Sequence, residues 1–559
     1  MHKVIRTTLA NCQDCYRCVR ACPIGAIRVQ DGQAQVHGGR CVSCGLCVRE
    51  CPQGAKVIRD SIGEVREMIA RGDAVAASVD ATFAAVYGGW RAARLPAALR
   101  RLGFASVAET AEGAAAVAEA YGAERVQGIT SACPAVVSYI EKYRPELTGL
   151  LLPIASPMVA HARLLKKRLG SHVRVVHIGP CAARKAERQR PGAEAVDAVL
   201  TFDEVQTWLE EDGIRLATCP ESGFEGAGDP GAARLVGLSG GLLNAAGVRG
   251  DMGKGDALAI SGVRDVMALL DTSLVDWPYG LVEAWFCRGG CAGGPCIPEG
   301  VDCFAAGREM AAYAEAAFPL PGDIEPPQLS MAFSPTPVTP SEVSEARIRE
   351  ILEQTGKAEP AEQLNCGACG YDSCRDHAIA IARRMAEPGM CVSFARRSAE
   401  RRADHIIEAS PNGIVVTDSE LHIVHMNARF LRMFGATANA IGQPVSEVVD
   451  AEGFEHLRAG AKGTQETIRA RNGLRYQELI FALRGGQEFA GIYVDISGHT
   501  LDARQIDLIK GQSLKHARNL LEHQIRFSQE MAHFLGRSTA QTEELVKRLM
   551  DMYAEDAPE

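Results

Sequence analysis

The stretch CQDCYRCVRACP, residues 12–23, returns as CVSCGLCVRECP at residues 41–52. Each copy sets three cysteines at steps of three and a fourth just before a proline. That spacing wraps three thiolates around one face of an iron–sulfur cubane and sends the fourth to a second cluster. The competing reading is structural zinc, which needs four ligands per site and leaves the repeated Cys-Pro ending unexplained. The first 60 residues are therefore an internally duplicated, cysteine-dense unit.

Working outward, 559 residues predict several domains. Hydrophobic residues at 47% and charged residues at 23% are ordinary for globular protein and exclude disordered and fibrous classes. The net charge of −9 argues against a nucleic-acid coat. The 19 cysteines fall mostly in tight clusters, as metal sites in a reducing compartment do, rather than spread as disulfide partners. No apolar signal segment precedes Cys12, and the apolar run Leu147–Ala162 is broken by Pro153 and Pro157. The expectation is a cytoplasmic protein with no membrane and no nucleic-acid partner.

From about 66 to 318, apolar runs such as RVQGIT and VRVVHIG alternate with helical patterns, which predicts an α/β domain. Prolines among Ser and Thr over 319–342 predict an extended linker. Residues 343–398 form a second, otherwise helical cysteine unit, and 404–498 change to short strands, a compact α+β module. From about 500 to 556, Leu514, Ala517, Leu521, Met531 and Leu535 recur at near-helical spacing, predicting a C-terminal helix, or two broken near Gly536, with an apolar face for self-association or a partner. Gln524 and Ser528 interrupt that face, and packing back on the preceding sheet is the alternative.

In the α/β domain, cysteines far apart in sequence sit in Gly or Pro turns: TSACPAVV (130–137), GPCAARKAE (179–187) and EAWFCRGGCAGG (283–294). Separate turns converging on one cavity are how an α/β domain builds a site at its strand ends. Singly, each is more simply a buried thiol at a turn.

The duplicated unit resembles a bacterial two-cluster ferredoxin. That resemblance implies one 4Fe-4S cluster on Cys12, Cys15, Cys18 and Cys51 and another on Cys41, Cys44, Cys47 and Cys22. The three turns, with the LRRLGF stretch at 99–104, resemble the signatures of FeFe hydrogenases, so the likeness covers about residues 1–318. It implies an H cluster, a cubane joined by one cysteine to a two-iron centre with CO, cyanide and a bridging dithiolate amine. By motif position its ligands are Cys133, Cys181, Cys287 and Cys291, with Cys291 bridging. Gly237–Gly241 lacks the Lys-Ser/Thr ending of a phosphate loop and resembles the family's Gly turn beside the cluster.

Departures from the pattern carry information. Catalytic members have a proton-relaying cysteine immediately before the first ligand, where this chain has Ala132. The family's methionines in the second and third motifs are Gly179 and Trp285, and its cyanide-binding lysine is Arg184, with Lys185 adjacent. Arginine still donates to an anion, in a different geometry. Losing the relay predicts slow turnover, since general acid–base steps contribute about 10²–10⁴ in rate.

Cys366, Cys369, Cys374 and Cys391, in and after LNCGACGYDSC, resemble a small four-cysteine iron–sulfur domain and imply a third 4Fe-4S cluster, zinc being the alternative. Cys219 and Cys303 read as buried thiols, while Cys296 lies close enough to the third motif to line the site. Residues 404–498 resemble a PAS domain through the Asn427 region, Phe430, Phe434 and the closing Asp495-Ile496. His422 or His425 could serve as a haem ligand, although a lone strand histidine is usually structural.

These resemblances together imply a hydrogen-sensing FeFe hydrogenase. It would exchange H2 with protons and electrons slowly and use an electron carrier such as ferredoxin. Its two-iron centre would come from hydrogenase maturation proteins, and it would signal to a separate kinase or phosphatase, with a homodimer through the PAS domain and C-terminal helix one arrangement open to it. Cys291, Arg184 and Ala132 are the positions that set its catalysis. The alternatives are a catalytic ferredoxin-linked hydrogenase and a hydrogenase-like iron–sulfur scaffold, against which the intact Cys291 motif counts.

Overall fold

The computed structural model describes residues 4–123, 127–226, 228–248, 257–271, 279–298, 300–317, 324–339, 341–461, 463–483 and 487–497. The expected C-terminal helix lies outside them. The chain divides into two compact units, Met1–Phe394 and Ala395–Glu559.

In the first unit the duplicated segment contributes β1 (Ile5–Thr7), β2 (Ile27–Gln30), β3 (Gln33–Val36) and β4 (Lys56–Ile58). They pair as two antiparallel ribbons, β1 with β4 and β2 with β3. Each repeat carries a short helix around its third cysteine, Arg17–Ala21 and Leu46–Arg49, entered through a left-handed residue, Tyr16 or Gly45. Gly45 is required on a second ground: a Cβ there would meet the Pro295 ring at 2.4 Å, so this loop is pressed against the third cysteine turn of the α/β domain.

The α/β domain has two parallel sheets. Its strands are β5 (Val75–Val79), β6 (Ser106–Glu109), β7 (Gly128–Ile129), β8 (Arg174–Gly179), β9 (Ala198–Thr201), β10 (Ala257–Ser261) and β11 (Leu281–Trp285). One sheet runs β6-β5-β8-β9 and the other β10-β11-β7. β5, β6, β9 and β11 are buried at every residue, as sheets covered on both faces require. The expected α/β architecture is thus present, and every cysteine turn of the domain follows the C-terminal end of a strand.

The proline-rich segment is extended but not loose. Ala155 N–H donates to Leu329 O at 2.7 Å, Met331 N–H to Pro153 O at 3.0 Å and Thr336 N–H to Glu141 O at 2.8 Å. Arg163 donates to Gln328 O and Ser330 O, and Met331 is buried in the core. The segment is therefore a strap laid on the α/β domain. The four-cysteine region adds the helices Glu345–Gln354 and Cys374–Ala382, and its Ala380, Met385, Ala386 and Met390 share one apolar cluster with Val4, Ile5, Val19 and Ile27 of the duplicated unit.

The second unit holds β12 (Gly413–Asp418), β13 (Ile423–Met426), β14 (Gln465–Arg471), β15 (Leu474–Leu483) and β16 (Glu488–Asp495) in one antiparallel sheet, order β13-β12-β16-β15-β14. Its core packs Phe430, Phe434, Tyr476 and Tyr493 in mutual ring contacts. No helix among the described residues is long and apolar enough to cross a membrane.

Candidate functional site

Cys133 caps the helix Pro134–Tyr143 after β7, and Cys181 caps the helix Ala182–Glu187 after β8. Cys287 follows β11, and Cys291 opens the turn Cys291–Gly293. The two sheets thus deliver their strand ends to one place. Burial pushes the Cys181 thiol up to about 11, with Arg184 opposing and Cys133 adding to the shift. Burial likewise lifts Cys287 and Cys291 well above the ordinary thiol range, and each has Cys181 and Cys133 among its charged neighbours. A buried thiol quartet of this kind binds little as four protons and much as four thiolates around iron, so the donor set fits a cubane.

A small cleft adjoins Cys291. Its walls include Asp80, Thr110, Arg184, Gly237 and Trp285. Arg184 is buried; its Nη1 donates to Glu187 Oε2 at 2.6 Å and its Nη2 to Ala132 O at 2.9 Å. Burial lowers its proton affinity, but Glu187 and the Cys291 and Cys181 thiolates outweigh that, leaving it a fixed cation. Lys185 is directed elsewhere: its Nζ donates to Arg59 O, Ser61 Oγ and Glu204 Oε1. Ala132 brings a carbonyl for Arg184 and a methyl for the apolar cluster around Cys133 and Trp285. The chemistry of this lining suits an anionic iron centre beside Cys291, with Arg184 the cation available to its ligands.

The Gly237–Gly241 turn is occupied by protein. Gly240 and Leu243 N–H donate to Glu283, and Ala292 N–H donates to Gly237 O. Those amides hold a carboxylate of the third motif, not a phosphate. Glu283, Glu187, Asp80 and Thr110 were not singled out by the sequence. Only the first two lie inside recognisable motifs.

Cys12, Cys15 and Cys51 all act on Cys18, and Cys22, Cys41 and Cys44 all act on Cys47, so the fourth cysteine of each repeat lies with the first three of the other. Backbone N–H groups reach several sulfurs: Ala26 to Cys22 at 3.2 Å, Ser43 to Cys41 at 3.2 Å and Ala55 to Cys51 at 3.3 Å. Such donors favour thiolate. Cys44 also acts on Cys287, and Cys181 on Cys44, which puts the second quartet beside the α/β site.

Cys366, Cys369, Cys374 and Cys391 line a cavity of about 350 Å³ with Lys357. Lys357 Nζ, itself buried, donates to Cys391 Sγ at 2.9 Å. Burial alone would raise the Cys391 thiol; the bonds from Lys357 and Ser393 bring it below its ordinary value. Tyr371 feels both Cys369 and Cys22, and Arg20 donates to Ala368 O and Cys15 O, so this quartet borders the duplicated unit. Among the described residues, no group of three or more His, Cys, Asp or Glu is drawn together around a single metal ion.

Cys219 is buried, with its Sγ near Arg215 O. Cys303 packs by Gly289. Cys296 is buried beside Cys181, Asp203 and Lys185 and is not among the residues lining the two-iron cavity. In the second unit, Asn427 is fully buried and caps the helix Ala428–Phe434. His422 is surface-exposed near Asp418, and His425 is half-buried with an unpartnered Nδ1.

These features define an iron–sulfur protein built around a hydrogenase-type site. Residues 68–295 match the family "Iron only hydrogenase large subunit, C-terminal domain", residues 11–55 the "4Fe-4S dicluster domain", residues 362–393 "Putative Fe-S cluster" and residues 401–469 the "PAS domain". The chain is 27% identical over 295 residues to the periplasmic [Fe] hydrogenase large subunit of Nitratidesulfovibrio vulgaris, covering 42% of this chain and 70% of that one. It is 26% identical over 285 residues to iron hydrogenase 1 of Clostridium pasteurianum, covering 41% of this chain and half of that relative's length. It also matches the cytosolic Fe-S cluster assembly factor NAR1 of Saccharomyces cerevisiae, 31% identical over 98 residues, 16% of this chain and 20% of the yeast protein. A solved [FeFe]-hydrogenase, HydA1 from Chlamydomonas reinhardtii, variant E141Q, aligns at 18% identity and TM-score 0.40, over 50% of this chain and all of that one. The chain is a PAS-containing relative of the FeFe hydrogenases.

Proposed function

We propose that this chain is a hydrogen-sensing FeFe hydrogenase, slow in turnover, that reports its redox state through the PAS domain. The observation that supports it is the convergence of Cys133, Cys181, Cys287 and Cys291 beside a cavity with a fixed cation, Arg184, but with Ala132 in place of a proton-relaying thiol. When bound, the two-iron centre would supply the splitting of H2, and three further 4Fe-4S clusters on Cys12/15/18/51, Cys22/41/44/47 and Cys366/369/374/391 would take up the electrons. Arg184 orients the anionic ligands and is itself fixed by Glu187. The apolar walls, including Ala233 and Val236, limit water at the site. Cys391 immediately precedes the helix Val392–Ala409, which leads into the PAS domain. The reduction state of the last quartet therefore has a short covalent route to the output, whose partner is a separate signalling protein.

A second reading is an iron–sulfur scaffold, supported by the match to the yeast assembly factor. Infrared spectroscopy of the full chain supplied with the two-iron centre separates them. CO and cyanide bands that shift under H2 are expected. Bands indifferent to H2 would refute the hydrogenase reading. Shifted bands with amide exchange of the PAS domain unchanged between H2 and inert gas would refute the sensor reading.

A further inference from the structure

A line of buried polar side chains runs from the two-iron cavity through the interior of the α/β domain, and nothing in the site described so far uses it. Thr110 is in the cavity wall. Its Oγ1 lies 2.8 Å from Ser78 Oγ, Ser78 Oγ lies 2.7 Å from His161 Nδ1, and His161 Nε2 lies 3.3 Å from Glu112 Oε2. Arg168 Nη1 donates to Glu112 Oε2 at 3.1 Å, and the Arg168 side chain is 24% exposed, so the line ends at solvent. Ser78, Glu112 and His161 have no exposure at all.

Four polar groups are rarely buried in one row without partners that demand it. Here the demand has a direction. The Glu112 carboxylate, paired with Arg168, only accepts, so His161 carries its proton on Nε2. Its Nδ1 then accepts from Ser78, and Ser78 must accept from Thr110. Each donor points away from the cavity, and the free lone pairs of Thr110 are left at the cavity end. Burial lowers His161's proton affinity, keeping the ring neutral and able to accept on one nitrogen while donating from the other. The fold enforces this spacing. Ser78 is in β5, beside β6 and Thr110, and the helices bearing Glu112 and His161 cross so closely that a Cβ on Gly113 would lie 2.5 Å from His161 N.

We propose that Thr110–Ser78–His161–Glu112 is the proton route of the two-iron cavity, replacing the thiol relay that Ala132 removes. The inference rests on the hydrogenase reading. In the oxidative direction, one H2 yields two electrons, which leave through the iron–sulfur clusters to a one-electron carrier of the ferredoxin class, and two protons, which leave one at a time. For each, Thr110 takes the incoming proton and passes its own to Ser78 Oγ. Ser78 passes its proton to His161 Nδ1, and Nε2–H goes to Glu112, from which it leaves past the partly exposed Arg168 when that ion pair opens. The hydroxyls and the imidazole tautomer then reset before the second proton moves. Asp80 stands at the same wall with His177 Nε2 3.9 Å from its Oδ2, and His177 Nδ1 is 3.5 Å from Thr110 Oγ1. A carboxylate and a second imidazole thus feed the entrance.

The test compares Ser78→Ala, which removes only the hydroxyl, with Ser78→Cys, which keeps a transferable proton, in the full chain carrying its clusters and two-iron centre. Ser78→Ala is expected to lower H2 oxidation by roughly 10-fold or more, as general acid–base steps do. Ser78→Cys should restore most of it. The second readout is spectroscopic: after H2 reduction, the CO and cyanide bands of the wild type are followed on transfer to D2O. Isotope-dependent shifts should develop more slowly in Ser78→Ala, while the bands themselves and their response to H2 persist. An unchanged rate and unchanged deuterium kinetics in Ser78→Ala would overturn the route, as would equal losses in both variants. Wild-type bands that ignore H2 would instead mark failure of the hydrogenase reading.

Discussion

Replacing Asn427 by alanine should loosen the PAS domain without touching any cluster. Asn427 makes four bonds, two of them fully buried: Nδ2 donates to Ile407 O at 2.8 Å and Asn412 O at 2.9 Å, both part-buried, and Oδ1 accepts from Ile414 N–H and Phe430 N–H, both at 2.9 Å. The alanine variant strands the Asn412 carbonyl and two amides, and leaves Ile407 O with only the longer bond from Ser410 N–H. Leaving a buried group unpaired costs about 1–3 kcal/mol, and water entering the space of the lost amide recovers part of that. The helix cap at Phe430 is included in the sum and alone is worth about 1 kcal/mol. A total of about 3–5 kcal/mol follows, and at about 1.4 kcal/mol per decade this is roughly 10²- to 4 × 10³-fold more frequent opening. The assay is amide exchange in the full chain, read over Gly413–Asp418 and its sheet neighbour Glu488–Asp495. The peptides around Cys133 and Cys181 should be unaffected, since they belong to the other compact unit. Asn427→Asp should fare no better than alanine, because it sets a second acceptor oxygen against the Ile407 and Asn412 carbonyls. Exchange in the alanine variant within threefold of wild type would refute this account of the residue.

Ala132→Cys should raise H2 turnover by roughly 10-fold or more if proton delivery limits the rate; an unchanged hydrogen-electrode rate would move the limit to Gly179, Trp285 or the route through Ser78. Cys291→Ser should retain the cubane signals in paramagnetic resonance but lose the diatomic infrared bands, and bands that survive would refute the bridging assignment. Lys357→Met removes a cation from Cys391 and should make its cluster harder to reduce, read as a more negative midpoint in a redox titration of the full chain. An unshifted midpoint there would mean that the contact does not tune the cluster. Iron and sulfide analysis should give about 12 irons beyond those of the H cluster, four per quartet, and zinc with a matching iron deficit would remove the Cys366 to Cys391 cluster from the count.

What could be read from the sequence follows the length scale of each feature. The duplicated cysteine pattern is local, so its spacing names the chemistry directly, and the structure adds only that Gly45 must remain small to face Pro295. Cys133, Cys181 and Cys287 are 48 and 106 residues apart along the chain. Composition and periodicity cannot bring them together, and resemblance alone linked them. Thr110, Ser78, His161 and Glu112 carry no motif. They become neighbours because β5 lies beside β6 and two helices cross at a glycine, which is tertiary information. The proline-rich strap shows the same limit: its extended backbone is legible from proline content, while the groups that fasten it, Arg163, Pro153 and Glu141, lie well over a hundred residues earlier.

The arrangement of the quartets bears on why such a protein would be slow. The Cys22/41/44/47 group lies within electrostatic reach of the α/β site through Cys44 and Cys181, of the Cys12/15/18/51 group through Cys18, and of the four-cysteine region through Tyr371. If the proposed clusters fill these quartets, this group would be a branch point, and electrons leaving the H cluster would have two further sites to fill. In the oxidative direction, on the function proposed above, two electrons from one H2 would occupy both branches while protons leave by the proposed hydroxyl–imidazole line. A catalyst gains nothing from that delay. A sensor does, because reduced clusters then accumulate in proportion to hydrogen, and a PAS domain responds only to a state populated long enough to shift its own equilibrium. On this argument the change that speeds turnover, Ala132→Cys, should also lower the fraction of reduced clusters at a fixed H2 pressure with an electron acceptor present. A variant that turned over faster with its clusters equally reduced would break the link between slow proton transfer and sensing.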